Sequence, residues 1–275
     1  MFDARSSAFP ARLTADPVGS MSRPAVVLQP IVDLVAAKVY GHEALCRVPD
    51  SPFRYLRPGG GSSLPTPLAV ALEARMLEAA LDARSRVPGG QALTVNVSPL
   101  ALLHADVRET FERAGSLRGV IVELTEHREP ATPERLLPAV RGLRAAGAGI
   151  ALDDVGGGRG ALRYAPALEP DLIKLDTDVV GRIDAEPLKR VMVESALAVA
   201  RDLDTPVVAE GIETAHELDV LLRMGITLGQ GFLLARPAVA PGDVSPHVRR
   251  WLQARSGRLA ARRAVTRGPR VATAS

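Results

Sequence analysis

The chain contains only one cysteine and no long apolar run, which exclude an internal disulfide and a membrane-spanning segment. Because Cys46 is alone, no disulfide can form within the chain, which fits a reducing compartment. Gln, Asp, Pro or Arg interrupts the apolar stretches every few residues, so none reaches the ~20 residues that cross a bilayer. Residues 1–23 also lack the apolar segment of a secretory signal, and we predict a flexible leader there. These features predict a cytoplasmic protein without a membrane span.

Positive charge is concentrated at one end of the chain. Residues 244–275 contain eight arginines and no acidic residue, whereas the whole chain has a formal charge of only +3. Without these eight, 26 basic residues stand against 31 acidic ones, a net charge of −5 for residues 1–243. A basic tail can contact nucleic acid or an anionic surface, but it can equally be a disordered, solubilising end. We predict that 243–275 is helical at first and then a disordered, Arg-rich tail.

Short β-branched runs alternate with longer helical stretches after residue 90. Each run is followed by a Gly, Pro or Asp turn, a pattern typical of parallel strands joined by helices. The predicted strands are 92–97, 120–125, 150–155, 172–175, 206–209 and 227–233. The predicted helices lie near 99–113, 133–146, 160–168, 184–203 and 214–224.

Two further strand-like runs, 25–32 and 38–45, are too close for a crossover helix, so we expect an antiparallel hairpin. A Pro-, Gly- and Ser-rich loop over 49–67 and a helix over 68–84 follow. Together these elements predict an α/β fold, a modified (β/α)8 TIM barrel with an antiparallel first strand, spanning residues 24–242. An open doubly wound sheet is the alternative, although no Gly-rich phosphate fingerprint follows the first strand.

Polar residues stand at the ends of nearly all the predicted strands. In a barrel these ends converge on the face that carries active sites, and the acids among them would repel one another without a compensating cation. A set with no His or Cys favours Mg²⁺ or Mn²⁺, and adjacent aspartates can hold two ions. Singly, each residue could instead serve a turn or loop. The set comprises Glu43, Asn96, Glu123, Asp153, Asp154, Lys174, Glu210 and Gln230.

Lys174 is one of only three lysines in the chain, which otherwise uses arginine for positive charge. It could be a buried salt-bridge partner for an acid such as Asp176. Alternatively, its ammonium could position an attacking water among metal-bound carboxylates and stabilise the developing charge. The sequence favours the second interpretation.

Eight short segments of the chain each lie close to the end of a predicted strand. They are Gln29-Pro30-Ile31-Val32, Glu43-Ala44-Leu45-Cys46-Arg47, Val95-Asn96-Val97-Ser98, Glu123-Leu124-Thr125-Glu126, Leu152-Asp153-Asp154, Ile173-Lys174-Leu175-Asp176, Val208-Ala209-Glu210-Gly211-Ile212-Glu213 and Gly229-Gln230-Gly231-Phe232. In these segments and in their order, the chain resembles the EAL family of cyclic di-GMP phosphodiesterases over residues 25–237.

The resemblance implies hydrolysis of cyclic di-GMP to linear pGpG by a metal-activated water, with Mg²⁺ or Mn²⁺ in two sites. It implies catalytic roles for Glu43, Lys174, Glu210 and Glu213, with Lys174 holding the water. The implied substrate contacts are Arg47, Gln29 and Gln230. Glu126 would support a neighbouring loop. The implied metal ligands are Glu43, Asn96, Glu123 and Asp153 for one ion, Asp153 and Asp154 for the second, and Glu210 in the shell around them.

The chain departs from the family after Asp154. Val155-Gly156-Gly157-Gly158-Arg159-Gly160-Ala161 stands where the family usually has Phe-Gly-Thr-Gly-Tyr-Ser-Ser. In the family this loop helps to order the metal site and the dimer interface, and extra glycines make its ordering more costly. We predict an active homodimeric hydrolase. The alternatives are a weak or inactive cyclic di-GMP-binding module and an interaction scaffold that acts through the basic tail.

Overall fold

The protein is represented by a computed structural model, which describes residues 23–47, 66–124, 132–156 and 161–255. Its first two strands, β1 (Ala25–Asp33) and β2 (Lys38–Arg47), form the expected antiparallel hairpin. The connection is a tight turn because the Asp33 carboxylate accepts hydrogen bonds from the backbone N–H groups of Val35 and Ala36, at 2.9 and 2.8 Å. Such an Asx-type turn leaves no room for a crossover helix.

The strands close into a barrel, which confirms the predicted fold. β2 to β8 run parallel to one another, and β1 pairs antiparallel with both β2 and β8 and so closes the barrel. Within the described residues the barrel therefore has eight strands, of which the first is reversed. The remaining six are β3 (Ala92–Val97), β4 (Val120–Leu124), β5 (Gly149–Val155), β6 (Leu172–Leu175), β7 (Val207–Ala209) and β8 (Leu228–Gly229).

Helices surround the barrel and pack on the large apolar cluster between helices and strands. A 3₁₀ turn, Ala83–Arg86, follows the first helix, and another, Ala161–Tyr164, precedes the fifth. The helices are α1 (Thr66–Asp82), α2 (Pro99–Leu102), α3 (Ala105–Ala114), α4 (Pro133–Ala145), α5 (Ala165–Leu168), α6 (Thr177–Val180), α7 (Pro187–Asp202), α8 (Ala215–Met224) and a last one over 246–255.

Several elements differ from their predicted extent, and contacts explain two of the differences. The helix expected over 99–113 is divided into α2 and α3, because His104 has an extended backbone and its ring accepts a hydrogen bond from the N–H of Asp106, which caps α3. The strand expected over 227–233 ends at Gly229, since the chain turns at Gly231, where a β-carbon would lie 2.2 Å from the carbonyl oxygen of Ile212. A close backbone approach thus ends the strand.

The interior of the barrel has an apolar layer below a polar one. The apolar layer consists of Ile31, Ile121, Ala151, Leu172, Val208 and Leu228. Side chains alternate along a strand, so the residue two positions nearer the carboxyl end of β4 to β8 points to the same side. Those residues are Glu123, Asp153, Lys174, Glu210 and Gln230. Because β1 runs in the opposite direction, its equivalent residue lies two positions before Ile31 and is Gln29.

The start of the predicted tail is part of the packed structure. In the helix over 246–255, Val248 and Leu252 are buried, and Arg255 pairs with Asp219 of α8. Residues 1–22 and 256–275 lie outside the described residues, so the leader, the disordered tail and the domain boundaries stay predictions. None of the described helices combines the length and apolar character that a bilayer span requires.

Candidate metal centre and substrate pocket

A pocket of about 340 Å³ opens where the strands end. Eight of the predicted site residues line this pocket: Gln29, Glu43, Arg47, Asn96, Asp153, Glu210, Glu213 and Gln230. Two further predicted residues, Glu123 and Lys174, are fully buried beside it. The structure therefore brings most of the predicted site residues to one place.

Lys174 is the centre of the buried charge. Its Nζ atom forms an ion pair with Glu210 and lies 2.9 Å from Oε1 of Glu123. Glu43 and Asp153 are slightly farther away, at 3.5 and 3.6 Å. One ammonium thus serves four carboxyl groups, which we call the Lys174 cluster.

The Lys174 cluster contains less positive than negative charge. Burial raises the pKa of Glu123 well above its ordinary value, the nearby Lys174 opposes this rise, and the other carboxylates add to it. The same causes raise the pKa of Glu210 to about 8. Burial alone would lower the pKa of Lys174, but the surrounding carboxylates outweigh it and raise that pKa, so the ammonium keeps its charge. A divalent cation would meet the remaining deficit.

Neutral amides hold the carboxylate of Glu43 at the pocket edge. Asn96 donates to its Oε1 at 2.8 Å and Gln230 donates to its Oε2 at 2.7 Å. Gln29 lies opposite Glu43 in the hairpin ladder. Side chains from the ends of β3 and β8 therefore fix the carboxylate of Glu43 at the edge of the pocket.

The carboxylate and amide oxygens around the pocket fit a hard divalent metal. All its donors are oxygens, the choice of Mg²⁺ and Mn²⁺, and among the described residues Oε2 of Glu123 and Oε1 of Gln230 are buried without a hydrogen-bond partner. No three Asp, Glu, His or Cys side chains of the described part are gathered into a ready-made cage. Instead, the Lys174 ammonium stands among the carboxylates.

Asp153 and Asp154 occupy a β-bulge. The ladder between β5 and β6 skips one step there, so the two aspartates together oppose Lys174 alone. Asp154 has a φ of +55°, a left-handed conformation that Asp tolerates better than most residues. Both side chains are buried. Because a bulge redirects side chains, Asp154 is buried next to Asp153 although simple alternation would place the two on opposite sides.

The other predicted residues have varied surroundings. Arg47 donates to the carbonyl of Cys46 at 3.0 Å, and Gln29 donates to that of Ala235 at 3.4 Å. Glu213 is exposed. Glu126 lies outside the described residues, as do 157–160 of the glycine-rich loop and most of the loop predicted over 49–67. Their roles, like the dimer contact, stay predictions.

Two residues of this region were missed by the sequence reasoning. Phe232 lines the pocket with 48% of its surface exposed, and the Arg236 guanidinium lies 4.6 Å from its ring centroid. Its place two residues after Gln230 was the available clue. Glu217 is buried beneath the loop that follows β7, and the spacing Thr214-x-x-Glu217 is that of a helix capping box.

Known proteins resemble the chain in sequence and fold. A family model described as EAL domain matches residues 22–237. The probable cyclic di-GMP phosphodiesterase PdeG of Escherichia coli K12 is 30% identical over 222 residues, which cover 76% of this chain but only 43% of that protein. The chain therefore spans less than half of this curated relative.

Solved structures of similar fold include complexes. Klebsiella pneumoniae BlrP1 with manganese and cyclic di-GMP has a TM-score of 0.70 and 30% identity, over 86% of this chain and 60% of that one. A standalone EAL protein of Vibrio cholerae O395 bound to cyclic di-GMP has a TM-score of 0.71, over 83% of this chain and 98% of that one. At 21% identity, the second supports the fold alone.

Proposed function

We propose that this chain, which belongs to the EAL domain family, hydrolyses cyclic di-GMP to linear pGpG with the help of Mg²⁺ or Mn²⁺. The observation that carries the proposal is the Lys174 cluster, an oxygen-rich group with a charge deficit beside a pocket at the strand ends. The relative described as a probable cyclic di-GMP phosphodiesterase and the neighbour containing manganese and cyclic di-GMP support the choice of substrate and metal.

The proposed metal ligands are residues of the polar layer. When bound, the metal ions would lower the pKa of a water and neutralise charge on the phosphate. Glu43, Asn96, Glu123 and Asp153 would hold one ion. Asp153 would share the second with Asp154, and Glu210 would complete the surrounding shell.

The chain's own residues orient the water and the substrate. Lys174, fixed between Glu123 and Glu210, would donate a hydrogen bond to the attacking water and stabilise the developing charge. The water oxygen bonds to one phosphorus while the bond from that phosphorus to the 3′ oxygen breaks. The water gives up one proton as it bonds to phosphorus, and the leaving oxygen takes up one proton and becomes the 3′ hydroxyl of pGpG, so that the protons balance.

Substrate contacts would come from the rim of the pocket. Arg47 would bind a phosphate with its forked donors, and Gln29 and Gln230 would supply amide donors beside it. The exposed ring of Phe232 offers a surface on which a guanine can stack. These contacts account for a ligand with both phosphate and base.

The test is incubation of the purified protein with cyclic di-GMP and Mg²⁺ or Mn²⁺, followed by separation of the nucleotides. We expect pGpG from the wild type and none from Glu43→Ala or Asp153→Ala, since each loses a direct ligand. Glu194→Ala, on the exposed side of α7, is the control that keeps wild-type turnover. Binding of cyclic di-GMP without pGpG would instead support a binding module, and no binding would support a scaffold.

A further inference from the structure

Glu217 is a buried carboxylate that binds backbone rather than a cation. Only 5% of its surface is exposed. Its Oε1 accepts a hydrogen bond from the N–H of Arg182 at 2.7 Å, and its Oε2 accepts from the N–H groups of Glu213 and Thr214 at 3.0 and 2.9 Å. One side chain thus satisfies three backbone donors.

The three donors belong to two different segments at the carboxyl ends of the strands. Arg182 follows α6, the short helix after the strand that carries Lys174. Glu213 and Thr214 belong to the loop after β7, which begins with Glu210. The carboxylate of Glu217 therefore joins the segment after Lys174 to the segment after Glu210.

These two segments are also in close contact. Gly211 has a φ of +68°, and a β-carbon there would lie 2.4 Å from Cγ2 of Thr177. Packing this tight leaves no space for a side chain at Gly211. The segment after Lys174 and the loop after β7 are therefore in contact at Gly211 and joined by hydrogen bonds at Glu217.

Capping of α8 explains only part of this arrangement. In a capping box the third helical residue accepts from the N-cap N–H, and Glu217 and Thr214 make this pair in both directions. The hydrogen bond from Arg182 lies outside α8 and contributes nothing to the cap. It is the contact that makes Glu217 a link between segments.

We propose that Glu217 is a positioning residue, which holds the loop of Glu210 and Glu213 against the segment that follows Lys174. The proposal rests on the proposed function for its effect on turnover. Its structural part, the link between the two segments, is independent of that function. Glu217 contacts no substrate in this role and acts through the backbone.

The experiment compares variants that lose the link with one that loses only the cap. Glu217→Gln cannot accept at both ends of its amide, and Glu217→Asp keeps an acid near Thr214 but is too short to reach Arg182 as well. Thr214→Ala removes the other half of the capping box and leaves the Glu217 carboxylate in place. Glu217→Asp also keeps the test open if the Gln variant does not fold.

Two readouts are measured: hydrogen–deuterium exchange of peptides covering 181–183 and 210–214, and steady-state hydrolysis of cyclic di-GMP with Mn²⁺. For the Glu217 variants we expect at least tenfold faster exchange in both peptides, and a kcat about tenfold lower with KM within twofold of wild type, the scale of a lost outer contact. Thr214→Ala should change neither the 181–183 peptide nor kcat by more than twofold.

Unchanged exchange of 181–183 in the Glu217 variants would overturn the link. Faster exchange with unchanged kcat, or an equal loss of kcat in Thr214→Ala, would overturn the positioning role. A wild type that does not hydrolyse cyclic di-GMP would contradict the proposed function, while the exchange data would still decide whether Glu217 joins the two segments.

Discussion

The barrel contains two buried acidic groups that are stabilised in opposite ways. In the Lys174 cluster, four carboxyl groups share one ammonium, and the pKa values of Glu123 and Glu210 are raised. At Glu217, burial also acts to raise the pKa, but hydrogen bonds from Arg182, Glu213 and Thr214 outweigh it and the pKa is lowered. Backbone N–H groups therefore compensate the Glu217 carboxylate fully, whereas the single ammonium of Lys174 compensates its four carboxyl groups only in part.

This difference separates a site that binds from a site that holds structure. A buried carboxylate with enough donors is stable as it stands and has no affinity left for a cation. A cluster with too few positive charges gains stability from any cation that enters, and perturbed acids of this kind are typical of functional sites. Four changes to the chain should affect the two kinds of site differently, and their expected effects decrease in the order given.

Removing Lys174 should have the largest effect. Lys174→Met leaves the buried carboxylates without their ammonium, and breaking such a pair costs about 3–5 kcal/mol of unfolding free energy. Mn²⁺ should restore part of this stability, because it supplies the missing charge. Turnover should remain at least ~100-fold below wild type, the scale of losing one preorganised electrostatic group. Urea unfolding with and without Mn²⁺, and steady-state kinetics, measure the two effects.

Lys38→Met is the matched control, since Lys38 is exposed at the start of β2. It should unfold like the wild type with or without Mn²⁺. If Lys174→Met were as stable as this control in the absence of metal, the ammonium would not be what compensates the carboxylates.

The pH dependence of Glu217 should be next in size. Because its pKa is lowered in the folded state, it contributes stability above the unfolded value of about 4.3, and that contribution is lost as the pH falls through the folded pKa. The wild type should therefore exceed Glu217→Gln by about 2 kcal/mol near pH 7, the scale of hydrogen bonds to a charged acceptor. The gap should shrink below pH 4.3.

Urea unfolding at several pH values between 3 and 7, without metal, checks this expectation. Glu194→Gln provides the comparison, as an exposed acid on α7 whose removal should leave the curve unchanged. A gap that stayed constant from pH 7 to pH 3 would show that the Gln variant is destabilised by shape and not by loss of the charge.

Glu73 on α1 should have a smaller effect, because it reaches the site through the backbone. Its carboxylate accepts hydrogen bonds from the N–H and hydroxyl of Ser98, both at 3.0 Å. Ser98 stands two residues after Asn96, which donates to Glu43. Glu73→Ala should weaken Mn²⁺ binding by about tenfold, the low end for such supporting contacts, in a calorimetric titration.

Glu78→Ala serves as its control on the same helix, where Glu78 forms an exposed pair with Arg113 at 3.5 Å. Such pairs contribute little, so Mn²⁺ affinity should stay at the wild-type value. Equal affinities for the two variants would mean that Glu73 does not fix the end of β3.

Much of the fold and site follows from local sequence. The antiparallel β1 was predictable because the connection to β2 is too short for a helix. The polar layer was predictable because each acid stands at a strand end and strands alternate, so Glu123, Lys174 and Glu210 were expected together. These features depend only on spacing along the chain.

Other features depend on contacts between distant segments, which spacing does not specify. The bulge at Asp153 and Asp154 arises from the register with β6. The capping box of Thr214 and Glu217 is readable in the sequence, yet the hydrogen bond from Arg182 is not, because those residues are brought together only by the barrel. The same holds for the early end of β8, which Ile212 enforces.

The smallest effect is expected from the Arg-rich tail. Deleting residues 256–275 removes five arginines but leaves Arg255, which pairs with Asp219 and lies 5.6 Å from the ring centroid of Trp251. The ammonium that partly compensates the carboxylates of the Lys174 cluster is in contact with them, and the deleted residues include none of the proposed ligands. Turnover and Mn²⁺ affinity should therefore stay within twofold of the full chain, in the assays already described.

The control is circular dichroism, which should show the same helix content over the retained residues. A large fall in turnover by a folded, shortened protein would mean that the positive charge of the tail acts on the cluster or the substrate, and that local compensation alone does not describe the site.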